Sequence, residues 1–154
     1  MTRSSARVAG KFWLSSEGAA SGRSAIVADE GDSVWLYLTV AGRREIEADC
    51  WLFNCIDAFD SSEFRSRAAE YRERGEPPPA TRDVVDTDSR LRDELDASRI
   101  RFLWSPDGEA VAAVIDGSIA GFIDANPQRG FSAHLIRNCP WGSPLEMNEF
   151  ERLF

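Results

Sequence analysis

Residues 99–124 read RIRFLWSPDGEAVAAVIDGSIAGFID. Three apolar runs are divided by Ser-Pro-Asp-Gly and by Asp-Gly, and both dividers carry the dihedral angles that tight turns demand. The stretch predicts a three-stranded antiparallel meander. Ala112, Ala113, Ala120 and Gly121 keep its middle thin, a surface that suits a packed helix or large aromatic rings.

Working upstream, 31–54 reads GDSVWLYLTVAGRREIEADCWLFN. Val34, Leu36 and Leu38 alternate with Trp35, Tyr37 and Thr39. Ile46, Ala48, Cys50 and Leu52 alternate with Glu47, Asp49, Trp51 and Phe53. Period-two alternation on both sides of AGRR predicts a hairpin of half-buried strands. KFWL and SAIVAD before it supply two further strand candidates, with the Gly/Ser-rich SSEGAASGRS between them.

Three helices are predicted. Asp60 as N-cap places Glu63 at N3, and Phe59 with Phe64 forms a staple, so a helix runs from Ser61 to Arg74 and stops at Gly75. Phe64, Ala68 and Tyr71 make its narrow apolar stripe. A second helix is expected over 89–98, with Leu91 and Leu95 inward and Arg90 to Glu94 and Arg92 to Asp96 as exposed pairs. The third begins at Ser143 as N-cap, with Pro144 at N1 and Glu146 at N3. GEPPPA at 75–80 is a stiff connector within one domain.

The expected fold is α+β, an antiparallel sheet of about five to seven strands with two or three helices mostly on one face. The 154 residues, 43% apolar with five Trp and nine Phe, supply material for one core, so 1–154 reads as a single domain with 1–7 as the candidate for disorder. The longest apolar run near the N-terminus is FWL, too short for a signal peptide, and nothing approaches the ~18 apolar residues of a membrane span. The expectation is a cytosolic protein without membrane association. An odd count of three cysteines with no export signal points to reduced thiols.

Charge is unevenly placed. Of the formal net charge of −8, all falls within 45–96, which holds 15 acidic and 7 basic residues. No basic stripe is present, and such an acidic middle repels polyanions and attracts cationic partners. Nucleic acid is therefore not an expected partner.

HLIRNCPWGSP, 134–144, holds the only histidine beside a cysteine and a Trp. A thiol nucleophile needs a base in reach and a lowered pKa. Five residues separate His134 from Cys139, which in a strand puts them on opposite faces. PWGSP is read as the turn into the last helix, with Trp141 plugging the core or offering a stacking face. Cys50, Cys55, His134 and Cys139 are the right types for zinc, but C-x4-C starting inside a strand lacks the usual knuckle spacing. No metal, cofactor or catalytic residue is assigned. DVVDTD at 83–88 lacks the central Gly and terminal Glu of a calcium loop.

The ending GSIAGFIDANPQRGFSAHLIRNCPWGSPLEMNEFERLF together with ADCWLFN resembles small uncharacterised bacterial proteins, some of which accompany polymorphic toxins as immunity proteins. The resemblance covers Val34 onward. It implies a cytosolic partner that binds a toxin domain and blocks its active site, and it carries over no catalytic residue. The expected function is a non-enzymatic, acidic protein-binding module for a basic toxin domain. Its contact surface is placed at Asp83, Asp86, Asp88, Asp93 and Glu94, with Trp141 as the aromatic anchor. Two alternatives stand beside it: a small enzyme using His134 with Cys139 or a carboxylate pair, and a ligand module with an aromatic cleft at Trp35, Trp51 or Trp141.

Overall fold

A computed structural model describes residues 12–91 and 93–154. The expectation for 1–7 and the Arg92 to Asp96 pair lie outside the described residues. Strands β1 (Phe12–Gly18), β2 (Arg23–Asp29), β3 (Ser33–Thr39) and β4 (Ile46–Asn54) form one antiparallel meander in that order. After helix α1 (Ser61–Arg74) and a long connector come β5 (Ile100–Trp104), β6 (Ala110–Ile115), β7 (Ser118–Asp124), β8 (Arg129–Ser132) and the two-residue β9 (Ser143–Pro144), in sheet order β5-β6-β7-β8-β9. Helix α2 (Met147–Leu153) ends the chain. No helix among the described residues is long and apolar enough to cross a membrane.

The α+β class holds, but the strands divide into two sheets rather than one. Alternation explains why. Leu36, Leu38, Cys50 and Leu52 of the first sheet share a buried cluster with Val111, Ala113, Ile115 and Ile123 of the second, so each sheet buries one face against the other. Two glycines set how closely they meet. A Cβ on Gly121 would lie 2.6 Å from Leu52 Cδ2 and 2.6 Å from the Phe131 carbonyl oxygen, and one on Gly130 would lie 2.7 Å from the Asp49 carbonyl oxygen. Only hydrogen fits at either position. The predicted thinness of β7 is thus where β4 crosses it.

The meander's turns follow their sequence signals. Ser105 Oγ donates to Asp107 Oδ1 at 2.8 Å, and the Gly108 amide donates to the Ser105 carbonyl at 2.9 Å. Asp116 and Gly117 both take positive φ, 54° and 82°, as a two-residue hairpin turn of the primed type requires.

The helices do not share a face. Phe150, Leu153 and Phe154 from α2 pack on Ala112, Phe122 and Phe131, on the side of the second sheet away from the inter-sheet core. Phe122 and Phe131 stack at 4.6 Å, and Phe150 and Phe154 each meet Phe122 edge-on at 5.8 Å. Helix α1 instead brings Phe64 to the cluster of Trp35, Trp51 and Trp141, on the outer side of the first sheet. Its capping is as predicted: Asp60 Oδ1 accepts the Glu63 amide at 2.8 Å, and Gly75 closes it at φ 66°. Of its stripe only Tyr71 is buried, its hydroxyl donating to Asp32 Oδ2 at 2.7 Å.

Two predicted helices need correction. Over 89–91 the chain instead pairs with Asn54, residue 93 is a bend, and a single 3-10 turn follows at Ala97–Arg99, which Asp96 caps through the Ser98 amide. Leu91 and Leu95 are buried all the same, both in the cluster between the two sheets. Arg90 reaches Asp57 at 2.7 Å instead of pairing with Glu94. At the C-terminus, Ser143 and Pro144 pair in parallel with Phe131 and Ser132, and the Leu145 amide donates to the Ser132 carbonyl at 2.9 Å. A proline tolerates a sheet edge because it has no N–H to leave unpaired there. The helix therefore starts at Met147, with Glu146 as N-cap and no capping side-chain bond.

Candidate partner-binding site

The connector between α1 and β5 carries the carboxylates of interest, and one residue organises it. Asn54, at the end of β4, is fully buried. Its Oδ1 accepts the Trp51 indole N–H at 2.9 Å and the Ala80 amide at 2.8 Å, while its Nδ2 donates to the Ala80 carbonyl at 2.9 Å. Its main-chain N–H donates to the Ser89 carbonyl at 2.8 Å, and its carbonyl accepts the Leu91 amide at 2.7 Å. Residues 81–88 are thus a loop whose two ends are held by a single side chain and its own peptide groups.

A second element supports the loop from below. The Ile136 amide donates to the Val84 carbonyl at 2.9 Å, and the Asp86 amide donates to the His134 carbonyl at 3.0 Å, so 84–86 runs antiparallel to 134–136. His134 Nδ1 lies 3.1 Å from both carboxylate oxygens of Asp86, and its ring sits 5.0 Å from that of Phe53. HLIR therefore fastens the connector. Cys139 is engaged elsewhere, its thiol 3.6 Å from the Gly142 carbonyl, and burial pushes its pKa up, away from that of a nucleophile.

Within this frame Asp83 and Asp88 are exposed and Asp86 is half-buried. Asp83 accepts the Thr81 hydroxyl at 2.6 Å, and Asp86 also accepts the Asp88 amide at 2.9 Å. A cleft of about 620 Å³ opens beside Asp86, lined also by Asp57, Arg82, Val85, Thr87 and Ile136 among others. Asp93 and Glu94 are exposed but lie beyond the Leu91 anchor. There Arg99 donates to the Glu94 carbonyl at 2.7 Å and pairs with Asp116 at 2.6 Å. The five acidic residues thus form a loop group of three and a separate pair next to a cation.

Trp141 is not a surface anchor. It is 8% exposed, its indole N–H donates to the Pro78 carbonyl at 3.1 Å, and Phe64 meets it edge-on at 5.5 Å. Trp35 and Trp51 are likewise buried, whereas Trp141 lines a small cleft together with Arg129, Cys139 and Pro140. The large apolar group beside Asp86 is Ile136, 52% exposed at the cleft. The short Leu135-Ile136 pair between His134 and Arg137 gives no periodic signal. Asn54 was equally hidden, since an Asn after a strand reads as a turn former.

A smaller cleft of about 290 Å³ lies where β4 meets β8, lined by Asp49, Arg129, Asn138 and Cys139. Burial raises the Asp49 pKa. Cys50 and Cys55 are buried: the Cys50 thiol donates to the Phe131 carbonyl at 3.2 Å, and the Cys55 thiol faces Asp29. Among the described residues no group of three or more His, Cys, Asp or Glu side chains is placed to hold a metal ion. Compared with protein-family models, curated proteins and solved structures, the chain finds no match.

Proposed function

We propose that the protein is a cytosolic, acidic protein-binding module of the immunity type, which docks a basic toxin domain against the loop 81–88 and blocks it. The observation that carries this reading is the loop itself, which exposes Asp83 and Asp88 and sets Asp86 on a cleft with the exposed Ile136 while Asn54 holds both its ends. A pre-ordered loop loses little conformational entropy on binding. Carboxylates around a cleft speed the approach of a cationic partner, and an apolar group at the centre slows its departure. Asp93 and Glu94 add to the long-range field more than to the contact, being set apart beside Arg99.

The test is a tagged pull-down eluted with rising salt, run with the parent protein and with an Asp83→Lys, Asp88→Lys variant. Both positions are exposed, and Asp83 gives up its bond to the Thr81 hydroxyl, so an unfolding curve of the variant accompanies the comparison. A stoichiometric basic protein held by the parent and lost by the variant is the expected result. A partner retained equally by both would refute the loop as the contact surface.

A further inference from the structure

The outer face of the first sheet is only half roofed. Over β3 and β4 the connector and the 134–141 segment cover Trp35 and Trp51 with Ala80, Val84, Leu135 and Trp141. Over β1 and β2 nothing among the described residues lies on it, and a groove of about 450 Å³ runs from Trp13 past Ile26 to Thr39, Arg43 and Arg44. Trp13 is 68% exposed, and Ile46, paired with Thr39 on the same face, is 46% exposed. β1 pairs with β2 over seven consecutive residues without a bulge and carries no Pro or Lys, the devices that usually guard an outer strand. Exposed Trp and Arg are the side chains most enriched where binding energy concentrates.

Charge identifies the occupant. Among the described residues Arg43 pairs with Glu45, at 3.9 Å with both groups well exposed, and Arg44 has no ion-pair partner. Two such cations at one end of an apolar groove favour an apolar segment flanked by acids. A nucleic acid would need a row of stacking rings and a basic track, whereas Trp13 is the single ring among the described residues lining this groove.

We infer that this half-bare face is a second docking surface, distinct from the loop 81–88, which receives an acidic, aromatic-containing peptide segment of a partner protein. The apolar side chain of that segment lies on Trp13 and Ile26, and its carboxylates meet Arg43 and Arg44.

The experiment uses the full chain and a fluorescein-labelled peptide in which Glu residues flank a Leu-Phe pair, followed by anisotropy at low and high salt. The control peptide has every Glu replaced by Lys. Saturable binding of the acidic peptide, weakened by salt and tighter than that of the control, is expected. Trp13→Ala should weaken it roughly thirtyfold, as loss of a central Trp does at interfaces. An Arg43→Glu, Arg44→Glu variant should reverse the preference between the two peptides, and Asp83→Lys, Asp88→Lys should leave the acidic peptide's binding to the groove intact. No saturable binding, equal binding of both peptides, or binding indifferent to Trp13→Ala overturns the inference. So does preferential binding of an oligothymidine through Trp13, or self-association in sedimentation that Trp13→Ala abolishes, since each installs a different occupant.

Discussion

Replacing Asn54 by Ala should loosen the acidic loop and cost much of the protein's stability. The substitution strands three buried groups at once: the Trp51 indole N–H, the Ala80 amide and the Ala80 carbonyl. Trp51 and Ala80 are fully buried, so water cannot replace the lost side chain without the structure opening. At about 1–3 kcal/mol for each of the three unsatisfied buried groups, the loss is about 3–9 kcal/mol. That is a large share of the ~5–15 kcal/mol that holds a domain folded. Urea unfolding measures the total. Native-state hydrogen exchange at the Val84, Asp86, Leu91 and Ile136 amides shows where it falls, because these bonds hold the loop and should lose protection first. Asn54→Asp provides a control should the Ala variant not fold. It keeps both accepted bonds but cannot donate to Ala80 while ionised, and burial raises its pKa. Its proton is bound more tightly in the folded state, so its stability relative to the parent should recover as pH falls below the folded pKa and decline as pH rises through it. A loss under about 1 kcal/mol for Asn54→Ala, with unchanged exchange along the loop, would refute the assignment of Asn54 as its holder.

Gly121→Ala should destabilise by about 2–3 kcal/mol in urea titration, since the added Cβ meets a main-chain carbonyl that cannot swing aside; an effect near zero would mean that the sheets are not in close contact there. Arg23 beside Glu47 holds that carboxyl below its usual range. The stability advantage of the parent over Glu47→Gln should therefore be full above the ordinary carboxylate pKa of about 4.3 and shrink as pH falls through the lowered folded value, read from unfolding curves across that range. In a thiol-reagent assay on the native protein, Cys139 alone should react, more slowly than free cysteine at neutral pH and faster as pH rises, while Cys50 and Cys55 respond only on unfolding. Rapid labelling of Cys139 at neutral pH would restore it as a candidate nucleophile.

The strands were legible because alternation and turn chemistry are local. The 31–54 hairpin, the 99–124 meander and the cap at Asp60 depend on neighbours a few residues away, and all are present. The division into two sheets was not legible, since alternation tells which residues share a face but not which sheet covers it. The 89–98 segment misled for a definite reason: Leu91 and Leu95 enter the core without a helix, and the course of 89–91 is set by Asn54, 35 or more residues earlier. Pro144 misled similarly, because the sheet edge it joins was formed by Phe131 and Ser132. At the site, the acidic residues could be read from composition, whereas Asn54 and Ile136 acquire their roles only through contacts distant in sequence.

Arg23 bears on how the molecule comes apart. Its guanidinium joins Glu47 of β4 at 2.9 Å and Glu109, just before β6, at 3.0 Å, and also donates to the Thr39 carbonyl at 3.0 Å, so one cation belongs to both sheets. Glu109 keeps 32% of its side chain in water, which tempers the energy of the link but not its consequence. A chain that released the second sheet alone would break the Arg23–Glu109 pair at the same moment as it bared the apolar faces around Leu52 and Ile123. Partly open forms are therefore disfavoured on two counts, and the sheets melt as one cooperative unit rather than in succession.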